Sequence, residues 1–453
     1  MASTLPSHIR AFIEQGFRLE TTHIDYVLIG PKFTYKIKKT VKLPFVDYSS
    51  LQKRKFYCQK ELELNQRYSP EMYLGIEPIF FKGKLVDHAV KMLTMAQNKR
   101  LDLLLDKNNV SKVMIKRLAQ EIACFHKKAK IIAVKNKTQK LIKTIDLNFI
   151  TVRQFASKET ASTLYNYLIG FIRQNSELIA SRTIKDLHGD LHAENIFYDK
   201  KPYLFDCVEF EPAFRQIDTA AEIAFLLMDL EFRGKNNLAN LLLKEYLQTN
   251  PDKNISKLLR FYKCHYASVR GFVCGLSNDL KTARKYFDLA LKYAQPQIYI
   301  IGGSIGTGKT TLAKKIQKQT KYQLIQSDVV RKKLAKVPLN KKADQRYYSQ
   351  AFSLKTYQTM LIIAKSFLDK GQGVVLDATF SKQAYRNLLM KLITVNAYNF
   401  QYIETCAPEK IVVKRLMNRK HSVSDAGPDL VKNFNKAYEP PIEIPNIVKF
   451  SPL

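Results

Sequence analysis

The chain has 453 residues, enough for two or three domains with sizeable cores. Apolar residues make up 46% and charged residues 25%, and no apolar run approaches the roughly eighteen residues of a membrane span, so an integral membrane protein built of helices is excluded. Lys and Arg number 74 against 40 Asp and Glu, a net charge of +34, of which residues 297–453 carry +16 (26 basic, 10 acidic). A field of this sign draws nucleotides, phosphorylated metabolites, nucleic acid or another polyanion. The lysines are spread over the whole chain, so a compositional habit is the competing explanation. Residues 1–20 include Arg10 and Glu14 and lack the apolar centre of a secretory signal. The six cysteines show no Cys-x-x-Cys spacing, which excludes a disulfide framework or zinc knuckle and predicts reduced thiols in a cytoplasmic protein.

In chain order, residues 24–29 and 33–38 read as two strands around the turn Gly30-Pro31-Lys32. No G-x-G-x-x-G loop is present. Lys36 and Lys38 fall on one face of the second strand, and either can be a solvated edge lysine. Residues 51–68 space Leu51, Phe56, Leu62 and Leu64 at helical intervals, with Glu61 and Glu63 among the polar positions. Either acid can belong to a surface pair. Residues 89–95, with Met92, form an apolar strand, and residues 113–127 an amphipathic helix whose His126 is expected to pack at the helix end. Residues 127–143 carry seven lysines and no acid, a solvated face or a docking site for a polyanion.

Next comes Leu187-His188-Gly189-Asp190-Leu191-His192-Ala193-Glu194-Asn195, then a strand at 196–198, a turn, a strand at 203–205, and Asp206. Phosphoryl transfer from ATP needs such a set. One Asp orients the attacking hydroxyl and takes its proton; an Asn and a second Asp hold magnesium. The order Asp-x4-Asn, then Asp after a hairpin, matches the protein-kinase plan with His-Gly-Asp in place of His-Arg-Asp. The stretch resembles the aminoglycoside-phosphotransferase-like kinases. That resemblance implies Asp190 as catalytic base and Asn195 and Asp206 as Mg2+ ligands. It implies that Lys36, or as second choice Lys38, reaches the ATP phosphates, and that Glu61, or alternatively Glu63, pairs with that lysine. It also implies that the strand through Met92 leads into an interlobe hinge where adenine meets backbone groups. Glu209 and Asp218 either line an acceptor pocket or cap helices. Residues 217–230, 236–247, 255–274 and 280–293 have helical spacing and predict a helical C-lobe, bounded by Pro296. Tyr35-Lys-Ile-Lys-Lys39, Pro44-Phe45-Val46-Asp47-Tyr48-Ser49 and Glu61-Leu-Glu-Leu-Asn65 together resemble bifunctional bacterial proteins that join such a domain to a P-loop kinase, over nearly the whole chain.

Residues 297–301 are a short buried strand running into Gly303-Ser304-Ile305-Gly306-Thr307-Gly308-Lys309-Thr310, with a helix from Thr311. This is G-x-x-x-x-G-K-[ST] in its strand–loop–helix context. The loop wraps backbone N–H groups round a β-phosphate, and Thr311 at the helix start belongs to the same nucleotide-binding set. Lys309 bridges β- and γ-oxygens, and the Thr310 hydroxyl ligates magnesium. A strand at 322–326 ends in Ser327-Asp328-Val-Val-Arg331. Asp328 can take an acceptor hydroxyl's proton and Arg331 can hold an acceptor phosphate; an N-cap with a surface Arg is the alternative. A third strand at 373–377 ends in Asp377, suited to a metal-bound water or the acceptor, and a fourth spans 399–405. The basic helix with Lys414, Arg415 and Arg419 can serve as a lid whose arginines neutralise the transferred group, or lie on the surface. Residues 422–428 read as a loop and 447–450 as a last strand. This part is similar to small P-loop kinases: gluconate-type kinases, polynucleotide 5′-kinases and zeta-type toxins. Asp328-x-x-Arg331 is nearest the polynucleotide kinases, and the roles of Asp377-Ala-Thr-Phe and Ser424-Asp425-Ala426 stay unassigned. The 157 residues leave no room for the lid domain and sensors of an AAA+ motor.

The expected architecture is an α+β protein-kinase-like bilobal domain over residues 1–295, followed by an α/β P-loop kinase domain with a parallel sheet over 296–453. The expected chemistry is transfer of the γ-phosphoryl of ATP, with Mg2+, to hydroxyl acceptors at two sites. Two alternatives stand beside it: a 5′-hydroxyl kinase for RNA or DNA in the C-terminal domain, and a regulatory protein in which one module senses ATP.

Overall fold

A computed structural model describes residues 5–43, 46–369, 371–418 and 423–451. The chain divides into two compact units, Met1–Ala294 and Gln295–Leu453. Among the described residues no helix is long and apolar enough to cross a membrane, and all six cysteines are free.

The first unit begins with a five-stranded antiparallel sheet in the order Arg18–Thr21, Asp25–Ile29, Phe33–Lys38, Lys84–Leu93, Tyr73–Phe81. The period of two along Phe33–Lys38 separates two environments. Tyr35 and Ile37 pack with Leu28 and Ala89 against Ile9 and Phe12 of the helix Ser7–Glu14. Lys36 and Lys38 take the other face, beside the helix Leu51–Asn65. Ser50 caps that helix by accepting from Lys53 N at 3.2 Å. The helix ends three residues before the expected Tyr68. The Asn65 side chain turns back to donate to Glu61 O (2.8 Å) and accepts from Cys207 N (2.9 Å), while Ser69 N caps Asn65 O.

The second lobe of this unit is helical, built on Lys112–Lys128, Lys137–Phe155, Lys158–Gln174, Thr219–Phe232, Asn236–Thr249, Ile255–Leu276 and Leu280–Ala294. The helix expected from Ile217 starts at Thr219. Residues Gln216–Asp218 are a strand paired with Ile184–Asp186, and Asp218 is the N-cap, accepting from Ala220 N at 2.9 Å. The lysine-rich run 127–143 is not one face: it covers a helix end, the two-residue strand Ile131–Ile132 and the start of another helix.

The second unit is a parallel sheet in the order Gln323–Gln326, Val374–Asp377, Ile298–Gly303, Phe400–Thr405, Val448–Phe450. Its central strands, Ile298–Gly303 and Val374–Asp377, are buried on both faces, as the middle of a sheet covered on two sides requires. Ile298, Ile300, Val374 and Leu376 pack under the helices Gln350–Leu368 and Gln383–Asn396. Ile301 and Val375 pack on Leu312, Ala313 and Ile316 of the helix Lys309–Thr320. The helix Glu409–Met417 carries Lys414 and Arg415; the expected lid residue Arg419 lies outside the described residues.

Candidate active sites

In the first unit, strand, helix and loop converge on Lys36. Its Nζ lies 2.5 Å from Asp206 Oδ1, 2.9 Å from Glu61 Oε1 and 3.4 Å from Asp25 Oδ2. Burial works against the Lys36 charge, but Asp206, then Glu61 and Asp25, outweigh it and hold the ammonium well above its ordinary range. Lys38 is sealed beneath, with Nζ 2.6 Å from Glu61 Oε2, 2.5 Å from Glu209 Oε1 and 3.2 Å from Asp25 Oδ1. Burial opposes ionisation of Glu61 too, and the two lysines overcome it, keeping its carboxyl below the usual range. Glu209 goes the other way: burial pushes it up, against the pull of Lys38. Glu63 instead makes the surface pair, 2.7 Å from Lys60. Asp25 was absent from the sequence-based set, although the hairpin register puts it directly opposite Lys38 and so contained the signal.

The loop of Asp190 is held from below. Gly189 has φ +87, and a Cβ there would meet Arg215 Cα and Phe214 O at 3.0 Å, which explains the glycine before Asp190. His188 N and Gly189 N both donate to Glu222 Oε1 (2.7 and 2.8 Å), and Glu222 Oε2 faces His126 Nε2 at 2.7 Å. His126 is therefore a support of this loop, through Glu222, and more than packing. Ala193 N donates to Asp229 Oδ2 (2.9 Å), one more acid of the same helix. Glu222 and Asp229 were missed; acids seven apart on a helix whose intervening residues 223–228 are all apolar were the available signal. Arg67 clamps the loop start, donating to Asp186 Oδ1 (2.7 Å) and Leu187 O (3.0 Å).

Asn195 Nδ2 donates to Asp190 Oδ2 at 3.0 Å and to Asp190 O at 2.9 Å. Phe205 N donates to Asn195 O at 3.1 Å, which brings the Asp206 end of the hairpin beside Asn195. Burial would raise the Asp190 carboxyl, but His192, its hydrogen bond and the more distant Arg270 lower it to about 2. Asp206 sits at φ +64 and is 39% exposed. Met92 lies in an apolar cluster with Tyr73, Val90 and Phe197, with Met95 and Phe205 packed against it. Asp218 caps a helix and pairs with Arg182 (2.7 Å).

In the second unit Gly303, Gly306 and Gly308 have φ of +123, +71 and +97. A Cβ at Gly303 would collide with Thr405 O, and one at Gly306 would come within 2.8 Å of Val412 Cγ1. The loop curls over the strand end: Lys309 Nζ donates to Ser304 O (2.6 Å) and Thr307 Oγ1 to Ser304 O (2.8 Å). Gly308 opens the helix of Lys309, Thr310 and Thr311, and Ile305 anchors the loop against Val412 and Leu416. Thr310 Oγ1 donates to Asp377 Oδ2 (2.8 Å), and Gln326 Nε2 reaches the same oxygen (2.9 Å).

Asp328 and Arg331 lie on the helix Ser327–Leu334. Burial raises the Asp328 carboxyl, opposed by a hydrogen bond from Ser424 and by Arg331. Arg331 NH1 is fixed to Tyr347 O (2.7 Å) and Ser353 Oγ (3.1 Å), and its guanidinium stands 4.6 Å over the Tyr348 ring. Its Nε is buried without a hydrogen-bond partner. Asp425 accepts from Tyr348 OH (2.7 Å) and Ala343 N (2.9 Å) and pairs with the buried Lys332 at 2.9 Å. It thereby ties the 423–425 segment to the helix of Asp328 and Arg331.

Two architectures are thus present: a kinase-like bilobal unit, and a P-loop unit on a parallel sheet. Residues 298–441 match the family described as an AAA domain. The chain is similar to an uncharacterized protein of Mycobacterium tuberculosis, 28% identical over 431 residues that cover 89% of this chain and 86% of the relative. Among solved structures, a choline kinase of Streptococcus pneumoniae is 15% identical, with 64% of this chain and 99% of that one covered and a TM-score of 0.41. A variant of aminoglycoside 2′-phosphotransferase IIIa, solved with GDP, is 13% identical, with 63% and 96% covered and a TM-score of 0.42. A gluconokinase of Sinorhizobium meliloti is 18% identical, with 34% and 81% covered and a TM-score of 0.26.

Proposed function

We propose that the chain is an ATP-dependent phosphotransferase with two nucleotide sites, each passing a γ-phosphoryl group to a hydroxyl. The observation that carries this is the meeting of Lys36, Glu61 and Asp206 from strand, helix and hairpin, with Asp190 and Asn195 on the adjoining loop. In the first unit Lys36, held by Glu61, grips phosphate oxygens. Asp190, ionised at neutral pH, accepts the proton of the acceptor hydroxyl. That oxygen attacks the γ-phosphorus as the bond to the ADP oxygen breaks. In the second unit the 303–308 loop and Lys309 hold the phosphates, and Asp328 takes the acceptor proton.

The donors suit magnesium, which prefers a few carboxylate and hydroxyl oxygens with the rest supplied by phosphate and water. Asn195 and the partly exposed Asp206 would hold it in one unit, Thr310 and Asp377 in the other. Its contribution there is to neutralise phosphate charge.

For the second unit the finer reading is an acceptor hydroxyl flanked by an anionic group, such as a polynucleotide 5′ end. It is favoured by the unpartnered Nε of Arg331, one helical turn from Asp328. The test is label transfer from γ-labelled ATP to a panel of metabolites and short 5′-hydroxyl RNAs, using Asp190→Asn, Lys309→Ala and the double variant. Each single change is expected to abolish one set of products, and the double change all of them. Two site assignments are wrong if neither change alters any product. Label on neutral sugars but on no oligonucleotide rejects the finer reading alone.

A further inference from the structure

Lys38 has no part in the transfer just derived, yet it is the most enclosed lysine among the described residues of the first unit, 1% exposed. Lys36 and Lys38 share two acids oxygen by oxygen. Glu61 gives Oε1 to Lys36 and Oε2 to Lys38; Asp25 gives Oδ2 to Lys36 and Oδ1 to Lys38. Each lysine then has one acid of its own: Asp206 for Lys36, and Glu209 for Lys38. Tyr48 closes the inner side, donating to Glu209 Oε1 at 2.7 Å with its ring 5.3 Å from the Lys38 ammonium.

Four carboxylates therefore face two ammonium groups, a formal charge of −2. Without Lys38 the same four acids would face Lys36 alone. Buried charges interact strongly, so Lys36 would be drawn inward to Asp25, Glu61 and Glu209. With Lys38 in place one of the three inner negative charges is already offset, and Lys36 stands on the open side, next to Asp206. The same ammonium bonds the helix Leu51–Asn65 through Glu61 and the segment after Asp206 through Glu209. It fixes the two elements that flank Lys36.

We infer that Lys38 is a positioning residue for the nucleotide site of the first unit: by offsetting part of the negative charge of Asp25, Glu61 and Glu209 from within, it leaves Lys36 to the nucleotide phosphates. The inference rests on the reading of Lys36 as the phosphate-binding lysine. It replaces the expectation that Lys38 itself reaches phosphate, since Asp25, Glu61, Glu209 and Tyr48 surround its Nζ.

The experiment uses the full chain carrying Lys309→Ala, which silences the P-loop, and measures binding of Mg2+ with a non-hydrolysable ATP analogue by calorimetry. Adding Lys38→Met is expected to weaken binding about 10- to 100-fold, the usual range when a supporting partner of a ligand residue is lost. Adding Glu209→Gln as well returns the formal charge to −2 and is expected to recover part of the loss. A purely structural role would lower the melting temperature and leave the affinity of the folded protein as it was. If Lys38→Met does not fold, the comparison is Glu209→Gln with and without Lys38→Met, and a ratio of affinities near one overturns the inference. A Lys309→Ala parent that binds no nucleotide overturns the reading of the first unit and this inference together. A parent that binds, with Lys38→Met binding equally well, overturns the inference alone.

Discussion

Glu222 is 1% exposed, in a helix that is apolar almost throughout, and its two oxygens serve three donors. Glu222→Ala would leave two buried loop amides unsatisfied, at about 1–3 kcal/mol each. Burial opposes its ionisation, but the hydrogen bond to His126 and the charges of His126 and His188 hold its carboxyl below the usual range. A carboxyl lowered on folding stabilises the native state above its unfolded pKa, and that contribution is lost as pH falls through the folded value. The stability gap between the parent and Glu222→Gln, measured by denaturant unfolding, should therefore be widest near neutrality and shrink in acid. A gap that stays constant between pH 7 and pH 3 would refute the account. Glu209, raised by burial, has the opposite sign: its contribution is present at low pH and fades as pH rises. Next to the loop, Gly189→Ala forces a left-handed residue against Arg215. A cost of about 1–3 kcal/mol is expected, together with loss of whatever product Asp190→Asn removes. Unchanged thermal stability and product yield would show that the φ of +87 is not needed.

At the scale of elements, periodicity carried most of the fold. The alternation of 33–38, the apolar strands of the second unit and the helical spacing from 219 to 294 are local patterns, set by which face each element buries. What local pattern cannot hold is the partner of a buried polar group. Glu209 meets Lys38 across 171 residues, and nothing within either segment announces it. Glu63 and Glu61 look alike in sequence; only the packed helix puts Glu61 inside and Glu63 outside. Helix ends slipped for a related reason, since Asn65 and Asp218 end or start their helices through side-chain hydrogen bonds. The same limit left Asp425 without a role, because its partners Lys332, Ala343 and Tyr348 lie about eighty residues or more away. Asp425→Ala would leave the Lys332 ammonium buried and unpaired, which costs about 3–5 kcal/mol when one partner of a buried pair is removed. The expected result is a lower unfolding midpoint and faster proteolytic cleavage within residues 339–348. Equal midpoints and cleavage patterns would mean that Asp425 does not brace this segment.

Over the whole molecule the charge of +34 asks for its own explanation, apart from either site. Three of the lysines, Lys36, Lys38 and Lys332, are buried and bound to acids, so they add little to the outer field. The field comes from many exposed lysines along the chain, and binding to a polyanion through such a field releases counterions in proportion to the phosphates contacted. Short single-stranded RNA is therefore expected to bind at low salt regardless of its 5′ end. Its affinity should fall about three-hundredfold between roughly 50 and 200 mM salt if some six phosphates are contacted. Arg331→Ala removes one charge of 74 and should leave that slope nearly unchanged, while it alters label transfer to a 5′-hydroxyl end if the finer reading of the second unit holds. Filter binding across a salt series with 5′-hydroxyl and 5′-phosphoryl RNAs separates the two effects. A flat salt curve, or binding that collapses with Arg331→Ala, would locate the attraction in one site instead of in the surface as a whole.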